Sequence, residues 1–342
     1  MIQILVFSLA LSYGLSILVR KALIHFDILA HPSERKVHKK AVPEGGGIAI
    51  FITVISASFI FLGYDPKFLG LYVGATLMFL MGLLDDIFDV RARYKLIGQI
   101  VAVSLAMYFG LTIQFVTGND SVVNIGIFSI PLTFLWLLGV TNAINLIDGL
   151  DGLAGGVGAI VSIILGIVAL GQGRTDVAMM AFILAAATIG FLPHNFSDKK
   201  KMFMGDSGSQ FMGFSLAALS ILGVTKVAAT FVMLAPIMIL AIPIFDTLFA
   251  IIRRAKNGKK IFIADRGHLH HRLLDLGFTE RKAVTFIYYV TILLGFVAVF
   301  STRIPPKSAV VLFVITVGMI VAISFMLSRQ HSRKLNGQNK QA

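Results

Sequence analysis

Residues 68–91 read FLGLYVGATLMFLMGLLDDIFDVR, an apolar run over 68–84 followed by the adjacent acids Asp85 and Asp86, then Asp89 and Arg91. Such a run approaches the roughly 20 residues that a helix needs to cross a bilayer. Two neighbouring carboxylates at its end repel each other unless a cation or a proton lies between them. Outward from this stretch the chain keeps the same character. With 57% hydrophobic and 14% charged residues among 342, a soluble fold has more apolar surface than its interior can hold. The expected class is an all-α polytopic membrane protein.

Apolar runs at 2–20, 45–63, 68–84, 96–114, 128–146, 153–171, 177–193, 210–224, 228–251, 284–301 and 307–327 predict about eleven spans. Ile2 to Val19 reads as the first span, since no basic region precedes it and no small-residue cleavage site follows it. A tight hairpin is expected around Gly223 to Lys226, and Pro236 and Pro243 should kink the ninth span. Loops after odd-numbered spans, with the C-terminal tail, carry 25 Lys and Arg residues, and loops after even-numbered spans carry 5. That asymmetry predicts the N-terminus outside and the C-terminus in the cytoplasm. It also assigns the net charge of +13 to cytoplasmic loops and not to nucleic-acid binding. Residues 1–328 are read as one polytopic domain with its chemistry in cytoplasmic loops, and 329–342 as a basic polar tail. The absence of cysteine excludes disulfides, thiolate catalysis and cysteine-ligated metal.

Polar clusters follow four of the odd-numbered spans. Beyond Asp85-Asp86, the run 141–156 (TNAINLIDGLDGLAGG) repeats Asn142, Asn145, Asp148 and Asp151 every three residues, which a helix would align on one face. Its glycines let backbone N–H groups approach a ligand. In 193–209 (PHNFSDKKKMFMGDSGS), three lysines precede Asp206 in a Gly/Ser turn, a pattern suited to an anionic ligand and a hard cation bound through oxygen. Taken alone, Gly-Asp-Ser-Gly is also an ordinary turn, and the lysines also suit lipid headgroups. The run 265–272 (DRGHLHHR) leaves three readings open: a zinc site, donors to a diphosphate, or a basic surface helix. Of these, the donors agree best with the other loops. Asp246, at the end of the ninth span, either joins the site or pairs with Arg253 or Arg254. Gly45-Gly46-Gly47 lacks the Lys-Ser/Thr of a P-loop and suits close packing at the start of the second span.

Asp85-Asp86, Asn145-x-x-Asp148-Gly-x-Asp151-Gly152, Phe203-Met-Gly-Asp-Ser-Gly-Ser209 and His268-x-His270-His271, in this order, resemble the polyprenyl-phosphate N-acetylhexosamine-1-phosphate transferases of glycosyltransferase 4 type. The resemblance covers essentially the whole chain. It implies transfer of a sugar 1-phosphate from a UDP-sugar to a lipid phosphate with release of UMP, using Mg2+ or Mn2+. Gly267-His-Leu-His-His-Arg272 is similar to the bacterial branch that joins UDP-N-acetylglucosamine to undecaprenyl phosphate at the cell membrane. That branch starts wall teichoic acid or surface polysaccharide synthesis. The alternative branch, using UDP-N-acetylmuramoyl-pentapeptide, shows three consecutive histidines and then an aromatic residue, so Leu269 and Arg272 argue against it.

By resemblance Asp206 is the leading metal ligand, with Asp85 and Asp148 beside it, and Asp85, Asp86 and Asp148 are the catalytic candidates. Asp151 and Phe203 resemble positions at the uracil end. Lys39, His268, His270 and His271 resemble phosphate contacts, and Asn142, Asn145, Asn195 and Arg272 complete the substrate-binding set. The implied partners are the two substrates and the bilayer, and a homodimer is consistent with the family.

Charge arithmetic ranks these roles. A phosphate monoester has a second pKa of about 6 and is already ionised at neutral pH, so a general base gains little. Bringing one anion to another calls for a cation and basic donors. A transporter is the competing class, but transporters place such acids near the midplane and not at span ends. A lipid-phosphate hydrolase using the same metal is a third reading.

Overall fold

The computed structural model describes residues 1–31, 41–118, 121–223, 234–256, 268–305 and 307–322. Its helices are α1 (Ile2–His25), α2 (Gly47–Leu62), α3 (Leu69–Phe88), α4 (Ala92–Tyr108), α5 (Ser129–Ile147), α6 (Leu153–Gly171) and α7 (Thr175–Asn195). They continue as α8 (Gly205–Leu222), α9 (Leu234–Ile239), α10 (Ala241–Lys256), α11 (Leu269–Asp275), α12 (Glu280–Ser301) and α13 (Lys307–Ala322). Two antiparallel pairs supplement them, β1 (Leu29–Ala30) with β2 (Val42–Pro43) and β3 (Phe115–Gly118) with β4 (Ser121–Asn124). Among the described residues, six helices are long and apolar enough to cross a membrane. The chain is therefore an all-α membrane protein.

Helix α8 is the axis of the bundle, packed against α2, α3, α5 and α6. Every residue from Ser207 to Ser220 is buried. Helices α6 and α7 are also mostly buried, whereas α1, α3, α5 and α12 bury one stripe and leave much of the remainder apolar and exposed, as a lipid-facing surface requires. In α3, for example, Leu71, Ala75, Met78, Phe79 and Gly82 are buried while Leu80 and Leu84 are exposed. Small and hydroxylated residues join the spans: Ser12 on α1 donates to the Ala187 carbonyl of α7 at 2.6 Å.

The structure differs from the spans expected of the sequence in ways that shape the site. Helix α3 continues through Asp85 and Asp86 to Phe88, so the acids lie on a helix and not in a loop. The Gly-Asp-Ser-Gly turn is the first turn of α8. The ninth span breaks at Leu240 into α9 and α10, because Pro243 has no N–H to give the Ile239 carbonyl; Pro236 falls in the first turn of α9, where none is needed. The histidine run forms a short helix, α11, too brief to span. Most of the 223–226 hairpin and the C-terminal tail lie outside the described residues.

The two ends of the bundle are chemically distinct. At one end Lys67 pairs with Asp176 at 2.8 Å and also with Asp65. Asp85 lies about 24 Å along α3 from Leu69, at the end where the four polar clusters meet.

Candidate active site

The site begins where α3 crosses the start of α8. A Cβ on Gly82 would lie 2.5 Å from the Asp206 carbonyl carbon and from the Ser207 nitrogen, so only glycine lets the two backbones approach so closely. That approach brings the acid pair onto α8 in two different ways. Asp86 accepts from the Asp206 N–H at 2.6 Å through Oδ1, and from the Ser207 N–H at 3.1 Å and hydroxyl at 2.6 Å through Oδ2. Asp85 accepts from the Val90 N–H at 2.9 Å and from Lys95 Nζ at 3.0 Å. Lys95 also pairs with Asp206, so one ammonium lies between the two carboxylates.

Behind Asp206 runs an amide chain. Gln210 donates to its carboxylate at 3.3 Å, Gln99 donates to Gln210 at 3.3 Å, and Asn142 donates to Gln99 at 3.0 Å. Asn145 donates to the Ser209 hydroxyl at 2.8 Å. Asn142 and Asn145 therefore support the start of α8 from α5. Their common face with Asp148 and Asp151 ends with α5, because the chain turns at Asp148 and Gly152 takes φ +73°.

That turn opens onto a cavity of about 390 Å³ lined by Asp148, Asp151, Asp206, Lys201, Phe203 and His271, among others. Asp151 pairs with Lys201 at 2.5 Å, and Lys201 Nζ lies 5.4 Å from the centre of the Phe203 ring. Burial, and then the nearby Asp206 charge, raise Asp148 well above the usual carboxylate range. Asn195 borders the cavity with its side chain committed to backbone: it accepts from the Gly152 N–H at 2.6 Å and donates to the Met202 carbonyl at 3.0 Å. Tyr288 on α12 donates to the Gly152 carbonyl, and a Cβ on Gly152 would collide with the Phe196 ring.

The histidines divide into separate environments. His268 Nδ1 lies 3.0 Å from Asp246, whose other oxygen accepts from the Leu269 N–H at 2.8 Å and so anchors α11. Asp246 thus pairs with His268. His270 is buried against Gly149, and that burial, followed by the charge of His271, pushes it down to about 3. His271 lines the cavity, Arg272 is buried on the same helix, and Lys39 lies outside the described residues.

Several residues in the site carry no motif. Glu44 and Glu280 also line the cavity. Gln99 and Gln210 were visible as amides inside apolar runs, a signal that polar groups there have partners. Lys95 carries no signal in the sequence beyond its charge near the acid pair, and nothing local to it points to Asp206, 111 positions away.

Chemically, an all-oxygen set, Asp206 and Asp148 facing one cavity with Asp85 beside Asp206, suits a hard divalent ion. Among the described residues no group of three His, Asp or Glu side chains is arranged to hold a metal ion by itself. Mg2+ needs none, since one or two carboxylates with substrate phosphates and water make up its shell.

The model of glycosyl transferase family 4 matches residues 68–225, the segment from α3 through α8 that holds all five aspartates at 85, 86, 148, 151 and 206. A probable undecaprenyl-phosphate N-acetylglucosaminyl 1-phosphate transferase of Bacillus subtilis is 39% identical over 315 residues, covering 91% of this chain and 84% of the relative. The chain belongs to glycosyl transferase family 4. The transferase is also similar to a decaprenyl-phosphate N-acetylglucosaminephosphotransferase of Mycolicibacterium smegmatis, at 33% identity over 91% of this chain and 85% of the relative. An undecaprenyl-phosphate alpha-N-acetylglucosaminyl 1-phosphate transferase of Salmonella typhimurium is 29% identical over 87% of this chain and 84% of the relative.

Proposed function

We propose that this family 4 transferase moves N-acetylglucosamine 1-phosphate from UDP-N-acetylglucosamine to undecaprenyl phosphate, forming the lipid diphosphate sugar and UMP. The observation that carries the reading is the single cavity in which Asp148 and Asp206 face Asp151, Lys201, Phe203 and His271. Its lining offers acids for a divalent ion together with an aromatic face and an ion pair. The printed names of the relatives supply the sugar and the lipid class. The reading extends to a bacterial cell membrane and to the first lipid-linked step of wall teichoic acid or a related envelope polysaccharide.

In this reading eleven spans cross the bilayer with the N-terminus outside, and the cavity opens to the cytoplasm. The support is the 25-to-5 distribution of Lys and Arg. Residues 1–328 make one catalytic domain. Asp206, with Asp148 and Asp85, would hold Mg2+ or Mn2+, which supplies charge neutralisation between two anionic phosphates. Phe203 stacks on the uracil and Asp151 accepts its hydrogen bond. His271 contacts the diphosphate, and the Asp246-anchored α11 presents it. Lys95, already a cation among the acids, can neutralise phosphate charge when the acids turn to the metal.

The acceptor is ionised before it binds, so these residues orient and neutralise and need not remove a proton. Release of UMP from UDP-N-acetylglucosamine that requires added undecaprenyl phosphate tests the reading; release without the lipid, or none with it, sinks it. Exchange of labelled UMP into the UDP-sugar without lipid acceptor would identify a phospho-aspartate intermediate, and its absence a direct displacement.

A further inference from the structure

The tandem acids do different work. Successive residues on a helix point about 100° apart, so Asp85 and Asp86 cannot face the same centre from a regular α3. Asp85 turns to Lys95 and the Val90 N–H, whereas Asp86 turns to the first turn of α8. The first N–H groups of a helix have no partner within it and carry partial positive charge, so a carboxylate there is stabilising. Helix α8 has no side-chain cap from its own N-cap residue, Met204. Asp86 takes that place from another helix, 120 positions earlier in the chain, and three donors occupy its two oxygens.

We propose that Asp86 is a positioning residue: by capping α8 through the Asp206 and Ser207 N–H groups and the Ser207 hydroxyl, it fixes where the Asp206 carboxylate points, without itself touching metal or substrate. This inference rests on the reading that Asp206 holds the divalent ion. Three of the roughly four lone-pair sites of the carboxylate are taken by these donors, which leaves little of it for a metal ion or a proton. A residue that orients a ligand in this way typically changes metal affinity by about 10–100-fold when lost.

The test uses the full-length protein in lipid nanodiscs, with Mn2+ binding followed by electron paramagnetic resonance and UMP release followed in parallel. Asp86→Ala should weaken Mn2+ binding by about 10–100-fold. Asp86→Asn should fall between this and the parent, because a carboxamide oxygen still caps a helix well. Ser207→Ala, which removes one of the three donors, should give the smallest shift in the same direction. If Asp86→Ala does not fold, the other two variants carry the comparison. Parent-like Mn2+ affinity in a folded Asp86→Ala, with or without loss of turnover, overturns the proposal. So do equal large losses in Asn and Ala with none in Ser207→Ala, the pattern of a direct ligand. If the parent protein neither binds Mn2+ nor releases UMP, the functional reading itself fails and takes this inference with it.

Discussion

Replacing Gly82 with alanine tests whether the α3–α8 crossing sets the geometry of the site. The added methyl would stand 2.5 Å from the Asp206 carbonyl carbon and the Ser207 nitrogen, where 3.4 Å is the near limit of ordinary contact. Both are backbone atoms, so no side chain can rotate away, and the helices must separate by about 0.9 Å. The Asp86 bond to the Asp206 N–H, 2.6 Å in the parent, would stretch to about 3.5 Å, beyond useful hydrogen-bond length. Overpacking of this kind costs about 1–3 kcal/mol of stability. A displacement on the order of 1 Å at a reacting centre costs about 100-fold in rate, or ~2.7 kcal/mol. The assay is lipid-dependent UMP release by purified protein, with thermal unfolding measured in the same detergent. Gly139→Ala is the control, since a Cβ there meets nothing within 4 Å. Turnover by Gly82→Ala within twofold of the parent would refute the claim that this crossing positions Asp206.

Other residues give further expectations. At saturating Mg2+, Asp206→Asn should lose at least about 100-fold more turnover than Asp85→Asn, given what one preorganised electrostatic group contributes; the reverse order in a titration series would overturn the ranking of metal over base. Tyr288→Phe removes one of two donors to the Gly152 carbonyl, the Gly156 N–H remaining at 2.7 Å, so it should cost about 0.5–1.5 kcal/mol and raise KM for UDP-N-acetylglucosamine more than it lowers kcat. His270, held down to about 3 by burial, is neutral in the folded protein while its unfolded form protonates near pH 6.5. Stability should therefore fall as pH drops below about 6.5, by up to ~1.4 kcal/mol per unit, and His270→Gln should flatten that slope in melting curves from pH 7 to 5. Lys67→Ala, at a partly exposed pair far from the cavity, should cost no more than about 1 kcal/mol and leave turnover unchanged, as melting and steady-state assays would show.

What the sequence determined by itself is what a bilayer enforces locally. A span must be apolar for about 20 residues and satisfy its own backbone, so each run carries its own signal and class follows from composition. The motifs were legible for a related reason: acids, amides and histidines at the ends of apolar runs are expensive without a partner, so their positions along the chain mark the site. What each side chain faces was decided only in three dimensions. Asp85 and Asp86 are neighbours in sequence, yet one meets Lys95 and the other meets Ser207 on a distant helix. Asn142 shares its spacing with Asp148 but acts through Gln99 and Gln210, and His268, His270 and His271 take an anchor, a buried neutral position and the cavity wall in turn. Residue type and spacing constrain contacts within a few turns of helix. These partners are joined across as many as 121 positions by the packing of α8 against α3 and α5, and no local pattern encodes that distance.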